Sequence, residues 1–354
     1  MKNMKWMLAC LLAVLMLSTA FISGCGKKEE AKPADGAKKI KVGLVFDVGG
    51  RGDKSFNDAA YAGLEKATKE FGDKIEVKYL EPASGGENRE QLLRLLAQEK
   101  YDIIFGVGFI FTDAVAKVAK DFPQTKFALI DGYVPELKDS SNISCLLFKE
   151  QEGSFLTGAA AALKSKTGKV GFVGGMQIPT IEKFEIGYTA GAKFINPNIV
   201  VMSDYIGTTG EAFKDPVKGK ELTLKQIKDG VDVVYHASGA SGIGVIEAVA
   251  SQKKLAIGVD SDQSLTATDA QRPFILTSML KRVDTAVFNA IKSVLDNKFK
   301  GGYQEFGVKE DGVGYAENEY NKNMIGDIKG KLEEIKAKII AGEIKVPASK
   351  KDLK

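Results

Sequence analysis

From Ile40 onward the sequence alternates between short apolar runs and amphipathic stretches with helical spacing. The apolar runs, rich in valine, isoleucine and phenylalanine, are candidate strands at Lys41–Phe46, Glu76–Leu80, Ile103–Gly106, Phe127–Ile130, Ile143–Phe148, Val170–Val173, Val200–Ile206, Val231–His236, Leu255–Val259 and Ile275–Met279. Between them, Asn57–Phe71, Arg89–Gln98, Asp113–Asp121, Gly153–Leu163, Lys183–Phe194, Leu222–Asp229 and Gly244–Gln252 have the spacing of helices. Strands that are apolar throughout, rather than on alternate residues, must be covered on both faces, as in a parallel sheet between helices. Ten such strands are too many for one doubly wound sheet, so two α/β lobes are expected. No internal repeat with a period of about 20–50 residues interrupts the pattern.

The first residues read as an address. Lys2 and Lys5 precede an apolar run from Trp6 to Phe21, and Ile22-Ser23-Gly24 supplies small residues before Cys25. This is the layout of a secretory leader, and the run is short for a membrane helix, which needs about 20 apolar residues. The ending on Ser-Gly-Cys resembles a bacterial lipobox, which implies a diacylglyceryl group on Cys25 and cleavage just before it. The expected organisation is therefore a signal peptide at 1–24 and a flexible, charged tether at 25–39. The expected location is the extracytoplasmic face of the cell membrane, lipid-anchored.

Of the three cysteines, Cys10 leaves with the leader, Cys25 is the lipid candidate and Cys145 stands alone. An exported fold with a single thiol must be held by its core rather than by disulfides. His236 is the only histidine, which argues against a Ser-His-Asp triad, a Cys-His pair or a zinc site, so neither catalytic residues nor a metal are expected. The formal charge of +4 falls further when Lys2 and Lys5 are removed, too little to suggest nucleic acid as a partner.

Open parallel sheets bind ligands at the carboxyl ends of their strands. Asp47, Asp131 and Asp260 each follow an apolar strand directly and stand beside glycine-rich or turn-forming residues. One such aspartate is usually a cap or turn former, but three point to a shared cleft. Lys281 ends another strand, either as a solvated charge or as a donor to ligand hydroxyls beside those carboxylates.

Gly49-Gly50-Arg51-Gly52-Asp53-Lys54-Ser55 invites a phosphate-loop reading, but Asp53 occupies the position where glycine must let backbone N–H groups close on phosphate. Ser55 or Asn57 can cap the first helix. Phe56 between them, and Phe184 near the start of a helix in the second half, are each either core residues or one face of a clamp. One aromatic from each lobe would hold a planar ring by stacking, worth about 1–3 kcal/mol per face. Val259-Asp260-Ser261-Asp262-Gln263 lacks the spacing of a calcium loop.

Lys41-Val-Gly-Leu-Val-Phe-Asp47, Asp53-Lys-Ser-Phe-Asn-Asp58, Gly106-Val-Gly108, Gly187-Tyr-Thr-Ala-Gly191 and Ser278-Met-Leu-Lys281 occur in that order behind the lipobox. Together they resemble the basic membrane protein family of purine nucleoside receptor lipoproteins, substrate-binding components of ABC importers. The resemblance runs from about Lys39 to about Lys345. It implies the type I periplasmic-binding-protein fold: two Rossmann-like parallel-sheet lobes joined by a three-strand hinge, with the ligand buried between them. The corresponding spans are 40–148 plus about 279–308 for the first lobe and 149–278 plus about 309–345 for the second, with a tail at 346–354.

By the same resemblance, Phe56 and Phe184 sandwich the purine. Asp47 and either Ser55 or Asn57 bond the base edge, Asp131 lines the cleft, and Asp260, Lys281 and the Gly239 turn contact the ribose. The implied function is capture of a purine nucleoside (inosine, guanosine or adenosine) by hinge closure, with no cofactor and no catalysis, for delivery to an ABC permease and its ATPase. A sugar or furanose receptor on the same fold, a nucleoside-cleaving enzyme, and an added regulatory or adhesive role are the alternatives.

Overall fold

The computed structural model describes residues 39–83 and 86–353. The leader expected at 1–24, the lipid site Cys25 and nearly all of the tether lie outside the described residues.

The first six-stranded sheet carries β1 (Ile40–Val45), β2 (Ile75–Leu80), β3 (Ile103–Val107), β4 (Lys126–Ile130), β5 (Ile143–Phe148) and β11 (Gly302–Phe306), in the spatial order β11-β5-β4-β3-β1-β2. The second holds β6 (Lys169–Met176), β7 (Val200–Gly207), β8 (Val233–Ala237), β9 (Leu255–Asp260), β10 (Ile275–Lys281) and β12 (Val313–Tyr315), in the order β12-β10-β9-β8-β6-β7. All pairings are parallel except that of β12 with β10. Every residue of β3 and of β8 is buried, as strands covered on both faces require. The expected two-lobed α/β architecture is therefore present, with each of the ten expected strands in place.

In the first lobe, α2 (Arg89–Gln98) and α3 (Thr112–Asp121) cover one face of the sheet, while α1 (Phe56–Phe71) and α8 (Val283–Leu295) pack together over the other. In the second, α6 (Pro216–Lys228) and α7 (Gly242–Ser251) cover one face, and α4 (Glu150–Lys164), α5 (Pro179–Ile195) and α9 (Lys322–Ile340) the other. Val42, Leu44 and Phe46 point into the core under α1 and α8, whereas Val45 points to the opposite face, following the two-residue period of a strand.

Helices α4 and α5 touch backbone to backbone. A Cβ on Gly187 would stand 2.2 Å from the Gln151 carbonyl oxygen, and one on Gly191 2.0 Å from that of Phe155. The Gly187-to-Gly191 spacing is thus a contact surface, and it fixes the rotation of α5 whose first turns reach the cleft.

The chain crosses between lobes three times: from β5 to α4, from β10 to α8, and from β11 to β12. Lys149 N donates to Phe306 O at 3.0 Å and Arg282 N to Gly312 O at 2.8 Å, so the crossings are bonded to one another. The return expected at about residue 279 falls at Arg282, because Met279, Leu280 and Lys281 still pair with β12. The stretch expected as a tail is docked as far as it is described, since Lys350 bridges Glu182 and Glu185 on α5. Elements β11, β12, α8 and α9 were not expected from the sequence.

Candidate functional site

The carboxyl ends of both sheets meet in one cleft. Asp47, Phe56, Asn57 and Asp131 line it from the first lobe, and Phe184, Gly239, Asp260 and Lys281 from the second. Of the residues expected at the site, Ser55 alone among those described is set back from the wall. Its buried hydroxyl donates to the Asp260 carboxylate across the lobes.

Lys281 organises the centre. Its Nζ lies 2.5 Å from Asp131 Oδ2 and 3.0 Å from Glu150 Oε1, with the three side chains almost wholly buried. Burial alone would lower the ammonium, but Asp131, Glu150 and Asp260 hold it above the ordinary lysine range. The same nitrogen stands 5.2 Å from the Phe56 ring centroid and 5.4 Å from that of Phe184. One cation therefore sees an aromatic face from each lobe, and both rings border the same opening. Phe184 is also packed into the core, so the core and cleft readings hold together for it.

The strand-end aspartates differ in what they have left to offer. Asp131 uses Oδ2 for Lys281, while Oδ1 is buried without a protein partner among the described residues. An acceptor in that position is costly unless something donates to it. Burial raises the Asp131 carboxyl, against the pull of Lys281. Burial likewise pushes Asp260 up to about 7, opposed by Lys281 and Ser55. Loss of water pushes Asp47 up to about 7, opposed by the Val48 N–H, which donates to Asp47 Oδ1 at 2.6 Å, and by the charge of Arg89. Asp131 and Asp260 hold φ of 62° and 64°, in the left-handed region that follows a sharp strand exit.

Neither Ser55 nor Asn57 caps α1 as expected. Asp53 does so: its carboxylate accepts from the N–H groups of Ser55 at 2.9 Å, Asn57 at 2.8 Å and Asp58 at 3.1 Å. Burial lifts Asp53 to about 6 although these bonds oppose it. Asn57 is left to brace Asp47, its Oδ1 accepting from Asp47 N at 2.9 Å, while its side chain borders the cleft.

Sequence reasoning passed over Asp53, Ile178, Thr180, Ile181, Phe213 and Ser238 as wall residues, and Glu150 as a partner of Lys281. A helix-capping pattern would have found Asp53. Nothing local marks Glu150, whose partners Lys183 and Lys281 both lie on other elements. His236 is buried and bonded to Gln263 rather than exposed in the cleft. Among the described residues no group of three or more His, Cys, Asp or Glu side chains converges as a metal site would; the cleft carboxylates are arranged around Lys281 instead.

The family model for PnrA-like ABC transporter substrate-binding proteins matches residues 40–350. The chain belongs to that family. The PnrA-like chain is 39% identical to an uncharacterized lipoprotein of Pyrococcus abyssi over 315 aligned residues, covering 85% of this chain and 74% of the relative. It is 33% identical to the ABC transporter nucleoside-binding protein BmpA of Lactococcus lactis over 362 aligned residues, covering 98% of this chain and 100% of the relative. Among solved structures, an ABC transporter solute-binding protein of Aeropyrum pernix matches with a TM-score of 0.77 at 33% identity, over 88% of this chain and 95% of that one. A PnrA-like protein is a substrate-binding component, so its implied partners are a membrane permease and the ATPase that drives it.

Proposed function

We propose that this substrate-binding protein captures a purine nucleoside between its lobes and is tethered to the outer face of the membrane through lipid on Cys25. The observation that carries the reading is the pair of rings, Phe56 and Phe184, one from each lobe and both within 5.4 Å of Lys281 Nζ. A planar base stacked on either face excludes water only when both lobes contribute, which makes binding and closure one event. The Asp131 and Asp260 carboxylates beside Lys281 suit ribose hydroxyls, because a carboxylate can accept two hydrogen bonds at once. On this reading Asp47 and Asn57, which line the same cleft, bond the edge of the base. The nucleoside-binding name of the Lactococcus relative supports the same ligand class.

Acidic groups outnumber Lys281 around the cleft, so a ligand carrying phosphate would be repelled, and a neutral nucleoside is favoured over a nucleotide. Titration calorimetry with inosine, guanosine and adenosine tests the reading. Phe184→Ala and Asp260→Ala are each expected to weaken binding at least about tenfold, or about 1.4 kcal/mol, while the chain remains folded. No heat from any of the three nucleosides, or wild-type affinity in both variants, overturns it. Radiolabelled palmitate incorporated by the wild type and lost in Cys25→Ala tests the anchor.

A further inference from the structure

The lobes also meet beside the cleft wall, at Lys54 and Ser55. Lys54, in the first lobe, lies against the turn that follows β9 in the second. Lys54 Nζ donates to Thr266 O at 3.2 Å, and Gln263 Nε2 donates to Lys54 O at 3.1 Å. The Ser55 bond to Asp260 lies beside them. These contacts exist only while the lobes are together.

Gln263 is 2% exposed and its amide has one workable orientation. Oε1 accepts from Val259 N at 3.0 Å and faces His236 Nε2 at 2.8 Å. Turning the amide over would set its NH2 against the Val259 donor and its oxygen against the Lys54 carbonyl. The Nε2 of His236 must then carry the hydrogen, which leaves Nδ1 to accept from Ser238 Oγ at 3.3 Å. The ring packs against Gly242, where an added Cβ would lie 1.9 Å from Cε1. Burial holds His236 down at about 4, so it stays neutral near neutral pH. Ser238 lines the cleft. A continuous buried chain of hydrogen bonds thus runs from the ligand wall to the other lobe.

We infer that Ser238, His236 and Gln263 form a positioning relay that couples an occupied cleft to a latch between the lobes at Lys54. Sole histidine of the chain, His236 serves here as a fixed-tautomer spacer. The inference rests on the closure reading above and adds what keeps the closed form closed. A group of the ligand that bonds Ser238 orders its hydroxyl toward His236, and the order passes through Gln263 to the Lys54 carbonyl.

The test uses the full chain, inosine as the probe, stopped-flow dissociation and hydrogen exchange at residues 53–55 and 261–267. Gln263→Glu, assayed at a pH where its carboxyl is ionised, keeps both accepted bonds and loses the donated one. It is expected to speed inosine release at least about tenfold with association unchanged, and to abolish ligand-induced protection at those two segments alone. His236→Leu should behave the same way, while His236→Gln, which restores a donor near Nε2, should return release to within about threefold of wild type. Wild-type release from Gln263→Glu, or equal defects in His236→Gln and His236→Leu, overturns the relay. If the buried variants do not fold, the half-exposed Lys54→Ala must still speed release by about threefold, and an unchanged rate overturns the latch. If the wild type binds no inosine, the nucleoside reading falls by itself. The latch is then decided by whether Gln263→Glu or Lys54→Ala raises exchange at 53–55 without ligand: increased exchange upholds it and unchanged exchange overturns it.

Discussion

Lys281 Nζ lies 3.0 Å from Glu150 Oε1, and the two residues stand at different crossings between the lobes. Lys281 ends β10 just before the chain returns to the first lobe, and Glu150 begins α4 just after it has left. The ion pair is therefore shared by the hinge and the ligand cleft, with Asp131 completing it from the first sheet.

Removing the cation leaves the buried Asp131 carboxylate without its partner, while Glu150 keeps only Lys183, whose Nζ stands 3.3 Å from its Oε2. Lys281→Met is expected to lower the unfolding free energy by about 3–5 kcal/mol, the usual cost of breaking a buried pair from one side. Glu150→Gln should cost less, since Asp131 still pairs with the lysine. Urea unfolding measures both, and a Lys281→Met variant as stable as wild type would show that the network is neutral.

Stability should carry a pH signature from the cleft. Asp47 and Asp260 titrate at about 7 in the folded protein against an ordinary 3.8. Between those values the folded state keeps protons that the unfolded chain has released, so these groups make stability fall as pH rises from about 4 to about 7, then level off. Each contributes up to about 1.4 kcal/mol per pH unit within the window. His236, held at about 4 against 6.5, acts in the opposite sense, stabilising the fold as pH rises between those values. Asp260→Asn isolates one share: relative to wild type, its stability should improve as pH is raised through the window. A constant difference would refute the assignment.

Nucleoside affinity should respond to pH through the same carboxylate. Protonated Asp260 loses acceptor capacity for ligand hydroxyls, so inosine binding is expected to tighten as pH rises through about 7 and then reach a plateau. Ionic strength should matter little for this neutral ligand. Inosine monophosphate should give no binding heat at any salt concentration tested.

The contact between α4 and α5 offers a test far from the ligand. Gly187→Ala forces a methyl against the Gln151 carbonyl, where the ideal separation would be 2.2 Å. Overpacking of this kind costs about 1–3 kcal/mol, and the displaced α5 carries Phe184 with it. Both thermal stability and inosine affinity should drop, whereas an effect on stability alone would separate the helix contact from the cleft.

The architecture was readable in the sequence because strands buried on both faces are apolar at every position. Where that condition fails, so did the reading. Strand β11 alternates between buried and exposed residues at the sheet's edge, and β12 has three residues, two of them glycine and tyrosine. The cleft aspartates could be found because each follows a strand directly. Glu150 could not, since its role depends on Lys281, brought close only by the fold. Ser55 shows the limit of neighbour reasoning: it flanks Phe56 in sequence, yet its hydroxyl is spent on Asp260 rather than on the cleft wall.

Asp131 and Asp260 owe their positions to a backbone twist that few side chains tolerate. Aspartate, asparagine and glycine enter it cheaply, whereas valine, isoleucine or threonine would strain the chain. A lineage drifting toward another cargo therefore has few moves at these two corners: it can neutralise the carboxylate or delete it, but it cannot install a bulky branched group. Divergence in what such receptors carry is steered onto the aromatic walls instead.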